Sequence, residues 1–402
     1  MEIAIIGGGA SGMMAALSAR KDNGIVTVYE KNDRVGKKIL MTGNGKCNFS
    51  NLDFSADCFR SDSKRDLGVF FERFNVEDTI AFFEEQGMLI KNRDDYLYPA
   101  SGQAATVLDI LRFACEKAGV VIKTEEEVRK IVKKNEKFHV ETKKEKKTFD
   151  KVILACGSKA GPKAITSGSG YLFAKSFGHR VTEPVPALVQ LRCAEAFFKQ
   201  IAGVRTDCEL TLFISGKKCQ KERGELQLTD YGISGIPVFQ FSRFASKALK
   251  ERKNVKVTMN FLPDFTKEAY NEFIHKRYQV KKGECAEEFF LGITNKKIMQ
   301  LFIKMAALKP EEVITDDNRE KWEKVFYLLQ NFEVQVTEAN PFENAQVSAG
   351  GVCMDEVSEN LESLLVPGLF FAGELLDVDG RCGGYNLQWA WTSGYLAGKG
   401  KK

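Results

Sequence analysis

Apolar runs and a helical spacing of apolar positions follow one another through the first forty residues of the chain. The apolar run Ile3–Ile6 is followed by the glycine-rich segment Gly7–Gly12, by helical spacing over Met13–Arg20 and by a second apolar run, Ile25–Glu30. Short apolar runs predict buried strands, and recurrence at three and four residues predicts a helix. The order strand, glycine turn, helix and strand therefore predicts a βαβ unit.

The spacing of apolar residues changes within the next part of the chain, from helical spacing to alternation. Apolar residues recur at helical spacing over Phe70–Gln86 and over Ala104–Ala118, and each run ends at a glycine, which predicts two helices. From Val120 to Gly157 the period changes to two and ends in a continuous apolar run. This part predicts a small β-meander that returns to a buried strand.

The middle of the chain does not continue the opening pattern. Its periods predict strands over Cys208–Ile214 and Asn254–Phe261, and helices over Lys267–Lys309 and Arg319–Leu329. We therefore expect a separate inserted unit there, rich in β-structure and carrying a helical subdomain.

The C-terminal stretch returns to strand-then-helix character, with a strand at Leu369–Ala372 and a helix from about Tyr385 to Leu396. We predict an α/β fold whose Rossmann-like domain, a βαβ unit plus β-meander, is built from both chain ends and interrupted by a β-rich insertion with a helical subdomain. The predicted bounds are 1–186 and 342–402 for the two parts of the Rossmann-like domain, 187–341 for the inserted substrate or cap domain, and about 264–330 for its helical subdomain.

Composition limits the partners. With 402 residues, 44% hydrophobic and 28% charged, the chain is large enough for two or three packed units and has the composition of a globular protein. It holds no apolar stretch long enough to cross a bilayer, so we expect a soluble protein with no membrane partner. A net charge of +5 is small for this length and predicts no nucleic-acid partner.

The cysteines and histidines predict neither a metal site nor a disulfide framework. The ten cysteines include no Cys-x-x-Cys pair, and the three histidines are widely separated. Because the chain opens directly with a strand and shows no signal peptide, we expect it in the cytoplasm.

The glycine turn predicts a dinucleotide site. In this pattern Gly7 makes the tight turn, Gly9 lets the backbone approach a pyrophosphate, and Gly12 allows close packing of helix and strand. Ala10 and Ser11 then lie at the helix N-terminus, where free N–H groups and the helix dipole favour negative charge.

Glu30, 23 positions after Gly7, ends the second predicted strand. A carboxylate there accepts hydrogen bonds from both ribose hydroxyls of an adenosine and repels a 2′-phosphate.

The run after Glu30 resembles a known family. Arg34-Val35-Gly36-Lys37-Lys38 and Thr42-Gly43-Asn44-Gly45-Lys46-Cys47-Asn48 are similar to the second cofactor loop of glutathione-reductase-type flavoproteins, and more narrowly to the bacterial NAD(FAD)-utilizing dehydrogenases. Lys37 and Lys46 stand where that family commonly has arginine; lysine supplies charge but no bidentate fork. The resemblance implies FAD as the cofactor.

The resemblance covers nearly the whole chain, and its most extended block is Phe371–Gln388. By similarity, Gly373 and Glu374 would approach the ribityl and phosphate groups, and the helix N-terminus at Gly384–Gln388 would face the flavin ring. Ala155-Cys156-Gly157 resembles the alanine-threonine-glycine bend over the cofactor, with Cys156 interpreted as a small buried residue. A redox role stays open for Cys47 and Cys382.

The expected FAD-binding residues come from all of these segments, and no catalytic or metal-ligating residue is assigned. They are Gly7, Gly9, Ala10, Ser11, Gly12, Glu30, Lys31, Arg34, Gly36, Lys37, Lys38, Gly45, Cys47, Asn48, Val128, Ala155, Cys156, Gly157, Gly373, Glu374, Gly384, Tyr385, Asn386, Leu387 and Gln388.

The resemblance implies a bacterial FAD-dependent oxidoreductase, because members of the family reduce bile-acid-type enones or oxidise small amines. We expect hydride to enter flavin N5 from NADH or NADPH, a transient co-substrate, and to leave to a small organic molecule. Two alternatives stay open: a flavin oxidase of small amines that uses O₂, and a flavin-dependent RNA-modifying protein. The sequence identifies neither the substrate nor the oligomeric state.

Overall fold

The computed structural model describes residues 1–21 and 24–400. They form two compact units, one from Met1–Val185 with Gln346–Lys402 and one from Pro186–Ala345. Each unit has its own cluster of buried apolar side chains.

The N-terminal part of the first unit alternates short strands and helices. Its elements are β1 (Glu2–Ile6), α1 (Ala10–Lys21), β2 (Ile25–Tyr29), β3 (Ser50–Asn51), β4 (Phe59–Arg60), α2 (Gly68–Phe71), α3 (Val76–Glu85), β5 (Ile90–Arg93), β6 (Tyr96–Pro99), α4 (Ala104–Lys117), β7 (Val121–Lys123), β8 (Val128–Lys134), β9 (Lys137–Thr142), β10 (Lys146–Phe149), β11 (Lys151–Leu154) and α5 (Ser169–Ser176).

The middle of the chain holds the longest strands and four helices of ten residues or more. Its elements are β12 (Val185–Ala187), β13 (Leu191–Cys193), α6 (Phe198–Ile201), β14 (Arg205–Ile214), β15 (Lys217–Leu228), β16 (Gly232–Ser234), α7 (Ile236–Lys250), β17 (Val255–Asn260), α8 (Lys267–Lys281), α9 (Ala286–Phe289), α10 (Lys296–Met305), α11 (Arg319–Gln330) and β18 (Phe332–Ala339).

The C-terminal part returns to the first unit. Its elements are β19 (Val347–Ala349), β20 (Leu369–Phe371), β21 (Asp379–Gly380) and α12 (Tyr385–Lys399).

A parallel sheet in the order β20-β11-β1-β2-β7 forms the centre of the first unit. Ile5 of β1 lies between Ile153 of β11 and Val28 of β2. The C-terminal strand β20 pairs in parallel with β11 and places Phe370 beside Ile153. The predicted Rossmann-like fold from both chain ends is therefore confirmed, as is the β-meander, which is the antiparallel sheet β10-β9-β8.

Helices α1 and α12 pack closely through small residues. A Cβ on Gly394 would lie 2.5 Å from the Ser11 carbonyl oxygen, and one on Gly398 would lie 2.3 Å from that of Ala15. Ser18 donates a hydrogen bond across the interface to the Tyr395 carbonyl at 2.8 Å. The last helix is thereby held against the helix that starts at the glycine turn.

Two of the predicted helices are interrupted. The run Phe70–Gln86 contains α2 and α3, because Asn75 begins a new helix with a capping box in which Asn75 and Asp78 each bond the other's backbone N–H. The run Lys267–Lys309 contains α8, α9 and α10. Gly283, at φ +93°, lies beyond the end of α8, and the Asn295 side chain caps α10.

The second unit is a closed barrel with helices. Its strand order is β13-β16-β15-β14-β17-β18, and alternate residues such as Leu210, Val257 and Val334 are buried inside. The predicted β-rich insertion with a helical subdomain is confirmed. The sequence patterns missed β15 and α7.

Among the described residues, helices that combine the length and the apolar character needed to span a bilayer are absent.

Candidate active site

The glycine turn joins β1 to α1 in two different packing environments. A Cβ on Gly12 would lie 1.9 Å from the Gly7 carbonyl oxygen, and one on Gly7 would lie 2.4 Å from that of Ala155. A Cβ on Gly9 would meet no atom within 4 Å. Gly7 and Gly12 are thus required for packing, whereas Gly9 faces open space of the kind a pyrophosphate needs.

The start of α1 offers hydrogen-bond donors. The first bond of the helix ladder runs from the Met13 N–H to the Gly9 carbonyl at 3.0 Å. The N–H groups of Ala10, Ser11 and Gly12 precede that bond, so they are available to an anion.

Glu30 directly follows β2, is 8% exposed, and already accepts three hydrogen bonds. One carboxylate oxygen accepts the Gly8 N–H at 2.9 Å. The other accepts the backbone N–H and the side-chain amide of Asn32, at 2.8 and 2.6 Å. Glu30 therefore fixes the glycine turn relative to the following loop, and a carboxylate has room for about one further acceptor bond.

The start of the meander lies beside Glu30. The N–H groups of Glu125 and Glu126 donate to the carbonyls of Asn32 and Glu30, at 2.8 and 2.9 Å. Val128 is buried at the start of β8, two residues further on.

The predicted second cofactor loop packs against the glycine turn. The Gly36 N–H donates to the Gly8 carbonyl at 2.8 Å. Gly36 has φ +69°, and a Cβ on it would lie 2.2 Å from Leu108 Cδ1. Arg34 is exposed, Lys31 is half-buried, and Lys37 forms an ion pair with Asp33. These cations lie around the loop without entering the apolar core.

Glu374 joins three distant segments. Its Oε2 lies 2.5 Å from Lys38 Nζ. Its Oε1 accepts the Ser158 hydroxyl at 2.6 Å and the Ser348 N–H at 2.9 Å. The predicted residues Lys38 and Glu374 are thus brought together.

Gly373 packs on the start of α1. A Cβ on Gly373 would lie 2.4 Å from Ser11 Oγ, and the Gly373 N–H donates to Ser393 Oγ at 2.8 Å. The returning C-terminal segment is therefore fixed beside the first residues of α1.

The N-terminus of α12 lies against the loop that contains Asn48. Gly384 has φ +95°, and its Cβ would lie 2.8 Å from Asn48 Oδ1, a buried oxygen with no hydrogen-bond partner among the described residues. The N–H groups of Tyr385, Asn386 and Leu387 precede the first ladder bond of α12, which runs from Gln388 to Gly384 at 3.0 Å. The free N–H groups of α12 and the unpaired Asn48 oxygen together fit a ring that carries both acceptor and donor atoms.

The polar side chains at the start of α12 form hydrogen bonds within the protein. Gln388 is fully buried; its oxygen accepts from Ser50 at 2.7 Å, and its amide donates to Asn75, Thr79 and Thr392. Asn386 holds the Gly380–Arg381 turn in the same way. Only backbone donors of α12 are left for a ligand here.

The three cysteines of the predicted site are protonated thiols. Burial raises the pKa of Cys156 and of Cys47 to about 12, and that of Cys382 to about 11. Cys156 Sγ also lies 3.3 Å from the Ile6 carbonyl. Nucleophilic or redox chemistry needs a thiolate, and burial disfavours it at all three positions.

Sequence reasoning missed four polar residues of this region. Ser158 and Ser348 bind Glu374, and the rings of Tyr96 and Tyr98 lie near Gly383 and Gly43, respectively. Of the four, Ser158 could have been found from the sequence, because it directly follows the bend at Gly157.

A Rossmann turn with an open glycine, a carboxylate at the end of the second strand and a helix N-terminus returned from the far end of the chain define an FAD-dependent oxidoreductase. The HI0933-like protein Rossmann domain matches residues 1–400, and the chain belongs to this family.

Known relatives match almost end to end. The 3-dehydro-bile acid delta(4,6)-reductase of Clostridium scindens is 39% identical over 99% of this chain and 98% of its own length. The ribosomal RNA dihydrouridine synthase of Haemophilus influenzae is 29% identical over 97% of this chain and 96% of its own. Among solved structures, a 3-ketosteroid-delta4-(5alpha)-dehydrogenase from Rhodococcus jostii aligns with 99% of this chain and 96% of its own at 14% identity and a TM-score of 0.49.

Proposed function

We propose that this protein reduces a carbon–carbon double bond conjugated with a carbonyl group in a small, largely apolar molecule. The observation that carries the proposal is the 39% identity, over nearly the full length of both chains, to a reductase whose name specifies a 3-oxo steroid acid with double bonds at positions 4 and 6. In such a molecule the alkenes are conjugated with the ketone, and hydride adds at the carbon remote from the oxygen.

The residues that would hold FAD are those of the described site. The N–H groups at the start of α1 would bind the pyrophosphate, Glu30 the adenosine ribose, and Gly373 with Glu374 the ribityl end. FAD, when bound, supplies the hydride chemistry at one nitrogen of its ring. The backbone N–H groups of residues 385–387 and the positive end of α12 would stabilise negative charge on that ring.

We propose NADH or NADPH as the hydride donor, bound weakly and transiently. The chain carries one strand-turn-helix with a dinucleotide glycine set, at Gly7–Gly12, and that set is assigned to FAD. A nicotinamide would then alternate with the substrate at one face of the flavin, which predicts ping-pong kinetics.

Anaerobic stopped-flow mixing tests this donor. NADH or NADPH at millimolar concentration should bleach the flavin, and an enone should restore its absorbance. If neither nicotinamide bleaches it, while a small amine does and O₂ restores the absorbance rapidly, the protein is an oxidase instead.

A second candidate is favoured by two relatives named ribosomal RNA dihydrouridine synthase, at 29% and 26% identity over 97% of this chain. The uracil double bond is also conjugated with a carbonyl, so the same hydride chemistry would serve both substrates. The net charge of only +5 favours the small molecule, because RNA binding draws on clustered cations.

Parallel assays separate the two candidates. The reduced protein should turn over a 3-oxo-Δ4 steroid and leave the dihydrouridine content of ribosomal RNA unchanged. New dihydrouridine, with salt-dependent retention of the RNA, would establish the second candidate.

We also propose a cytoplasmic location. All ten cysteines are free thiols, which is the state that a reducing compartment maintains.

A further inference from the structure

Strand β6 presents two tyrosines on one face. Tyr96 and Tyr98 are half-buried and alternate with the buried residues Leu97 and Pro99, so their rings project from the same side of the strand. β6 pairs with β3 on one side and with β5 on the other. The three strands thus form a small sheet with a phenolic face.

This face meets two glycine segments of the predicted cofactor site. A Cβ on Gly383 would lie 2.8 Å from Tyr96 Cε1, and one on Gly43 would lie 3.9 Å from Tyr98 Cε1. Asn51, directly opposite Tyr96 in the sheet, donates to the Gly383 carbonyl at 2.9 Å. The phenolic face therefore lies beside the turn into α12.

The two hydroxyl groups differ from those of three other tyrosines, which form hydrogen bonds within the protein. Tyr29, Tyr270 and Tyr385 donate to Glu145, to the Phe326 carbonyl and to the Asp53 carbonyl at 2.6–2.7 Å. The hydroxyls of Tyr96 and Tyr98 have no such partner among the described residues. Burial raises the pKa of both phenols above the ordinary value, so each keeps its proton and remains a donor at neutral pH.

We propose that Tyr96 is the acid that protonates the carbonyl oxygen of the conjugated substrate. The inference rests on the proposed function, because hydride addition to the conjugated alkene develops the negative charge on the carbonyl oxygen that the acid neutralises. As the new C–H bond forms at the β-carbon, the alkene electrons move to the carbonyl and the oxygen takes the proton from the Tyr96 hydroxyl. The enol then becomes the ketone: water protonates the α-carbon and leaves as hydroxide, and the O–H proton returns to the phenolate.

The surroundings favour Tyr96 over Tyr98 for this role. Tyr96 contacts the glycine turn directly before α12, whose positive end stabilises a developing phenolate. Arg381 lowers the pKa of Tyr96 as Arg93 lowers that of Tyr98, so the end of α12, and not side-chain charge, distinguishes Tyr96. Tyr98 lies two residues further along β6, with the Arg93 guanidinium 5.8 Å from its ring centroid. Tyr98 shares the face, the burial and the unpaired hydroxyl, and is therefore the matched control.

The test uses the flavin-loaded protein, reduced with dithionite so that the nicotinamide step does not enter. A 3-oxo-Δ4 steroid is added anaerobically, and reoxidation of the flavin is followed per bound flavin. Tyr96→Phe should slow reoxidation by about 100-fold or more, the usual range for loss of a general acid, and Tyr98→Phe by less than about fivefold. Equal rates for Tyr96→Phe and wild type, or equal losses in the two variants, would overturn the role of Tyr96.

Equilibrium binding gives a readout that does not depend on turnover. The dissociation constant of the saturated ketone for the oxidised protein should rise about tenfold in Tyr96→Phe, the effect of one lost hydrogen bond, and should not change for the matched hydrocarbon without a carbonyl. Equal changes for both ligands would assign Tyr96 to packing and overturn the proposal.

Two further outcomes are separated by design. If wild-type protein is reoxidised by no enone, the proposed function fails and the inference fails with it. A normal wild-type rate together with a normal Tyr96→Phe rate would contradict the inference alone.

If Tyr96→Phe holds no flavin, Tyr96→His is measured, since its imidazolium should donate a proton only below about pH 6.5. Its reoxidation rate should then fall as the pH rises through that value, and a flat profile would overturn the inference.

Discussion

Gly9 and Gly12 stand three positions apart in one turn, yet they differ in the space around them. A methyl group at position 9 enters open space, whereas at position 12 it meets a carbonyl oxygen at 1.9 Å. Gly9→Ala should therefore leave the free energy of unfolding of the apoprotein nearly unchanged and reduce FAD affinity at least tenfold. Gly12→Ala should destabilise the apoprotein by about 1–3 kcal/mol. Urea unfolding and fluorescence titration with FAD measure the two effects; equal FAD affinity in Gly9→Ala and wild type would remove the pyrophosphate from this position.

Glu30 and Glu126 are both buried carboxylates at the same edge of the first unit, which makes them a useful pair. Glu30→Gln exchanges an acceptor oxygen for an amide donor and weakens a charge-assisted bond to ribose, so the FAD dissociation constant should rise about tenfold or more. Glu126→Gln, which alters the contact with Thr142, should leave that constant unchanged. Similar losses in the two variants would indicate a general effect on the fold rather than ribose binding by Glu30.

Residue-level prediction worked where the chemistry is local in sequence. The glycines of the turn and the acid at the strand end are recognisable because one βαβ unit fixes their spacing. The contacts of Glu374 were only partly predictable, since its partners Ser158 and Ser348 come from segments that meet only in the folded protein. The place of the two tyrosines of β6 could not be predicted either. Alternation predicts that they share one face of the strand, but not which segment packs against that face.

At the scale of elements, periodicity gave the type of structure more reliably than its continuity. The helical spacing of apolar residues in Phe70–Gln86 continues across the break at Asn75. The spacing alone therefore predicts one helix, and only the capping box at Asn75 and Asp78 indicates that a second helix begins there. The barrel strand β15 was missed because its exposed half, Lys217–Arg223, is charged and carries no apolar alternation.

His179, just after α5, joins that helix to the loop before β20. Its Nε2 lies 2.7 Å from Ser363 Oγ, and its Nδ1 lies 3.2 Å from Glu356 Oε2. The Ser363 hydroxyl oxygen also accepts the N–H groups of Leu365 and Val366, at 3.0 and 2.8 Å. Because both of its lone pairs are used, Ser363 must donate to a neutral imidazole, and protonation of His179 would break this bond.

Stability should therefore depend on pH through His179. Burial lowers the pKa of His179 below its usual 6.5, against the opposing effect of Glu356, so the folded state disfavours the protonated ring. The stabilising contribution is complete above about pH 6.5 and is lost as the pH falls from there toward the lowered folded-state pKa. Thermal melts from pH 8 to pH 5 should show a decline in wild type that is shallower in His179→Gln; parallel curves would exclude His179 as its source.

At the scale of the whole molecule, the chain enters and leaves the barrel unit through neighbouring segments of the first unit. The Thr182 N–H donates to the Gly351 carbonyl at 2.8 Å, and Val181 bridges to Val352. Each unit also has its own apolar core. Replacing residues 186–345 with a short glycine-serine linker should thus leave a protein that folds and binds FAD.

That shortened protein should show the visible spectrum of bound flavin but should lose enone reduction, because we expect the inserted unit to bind part of the substrate. Full-length protein with the same linker inserted after residue 185 is the control. A shortened protein that folds without flavin would mean that the cofactor depends on the barrel unit; one that still reduces enones at the wild-type rate would place the whole substrate site in the first unit.

The parallel sheet takes its last strand and its last helix from residues 369–399, and this order has a consequence for synthesis on the ribosome. At the usual rates of elongation, roughly 20 to 70 s pass between the emergence of the glycine turn and that of β20. Until then β11 is an open, apolar strand edge, and the first helix has no partner for its small-residue face. The nascent chain should consequently need a chaperone during this interval, and it should acquire its flavin only after translation has passed α12.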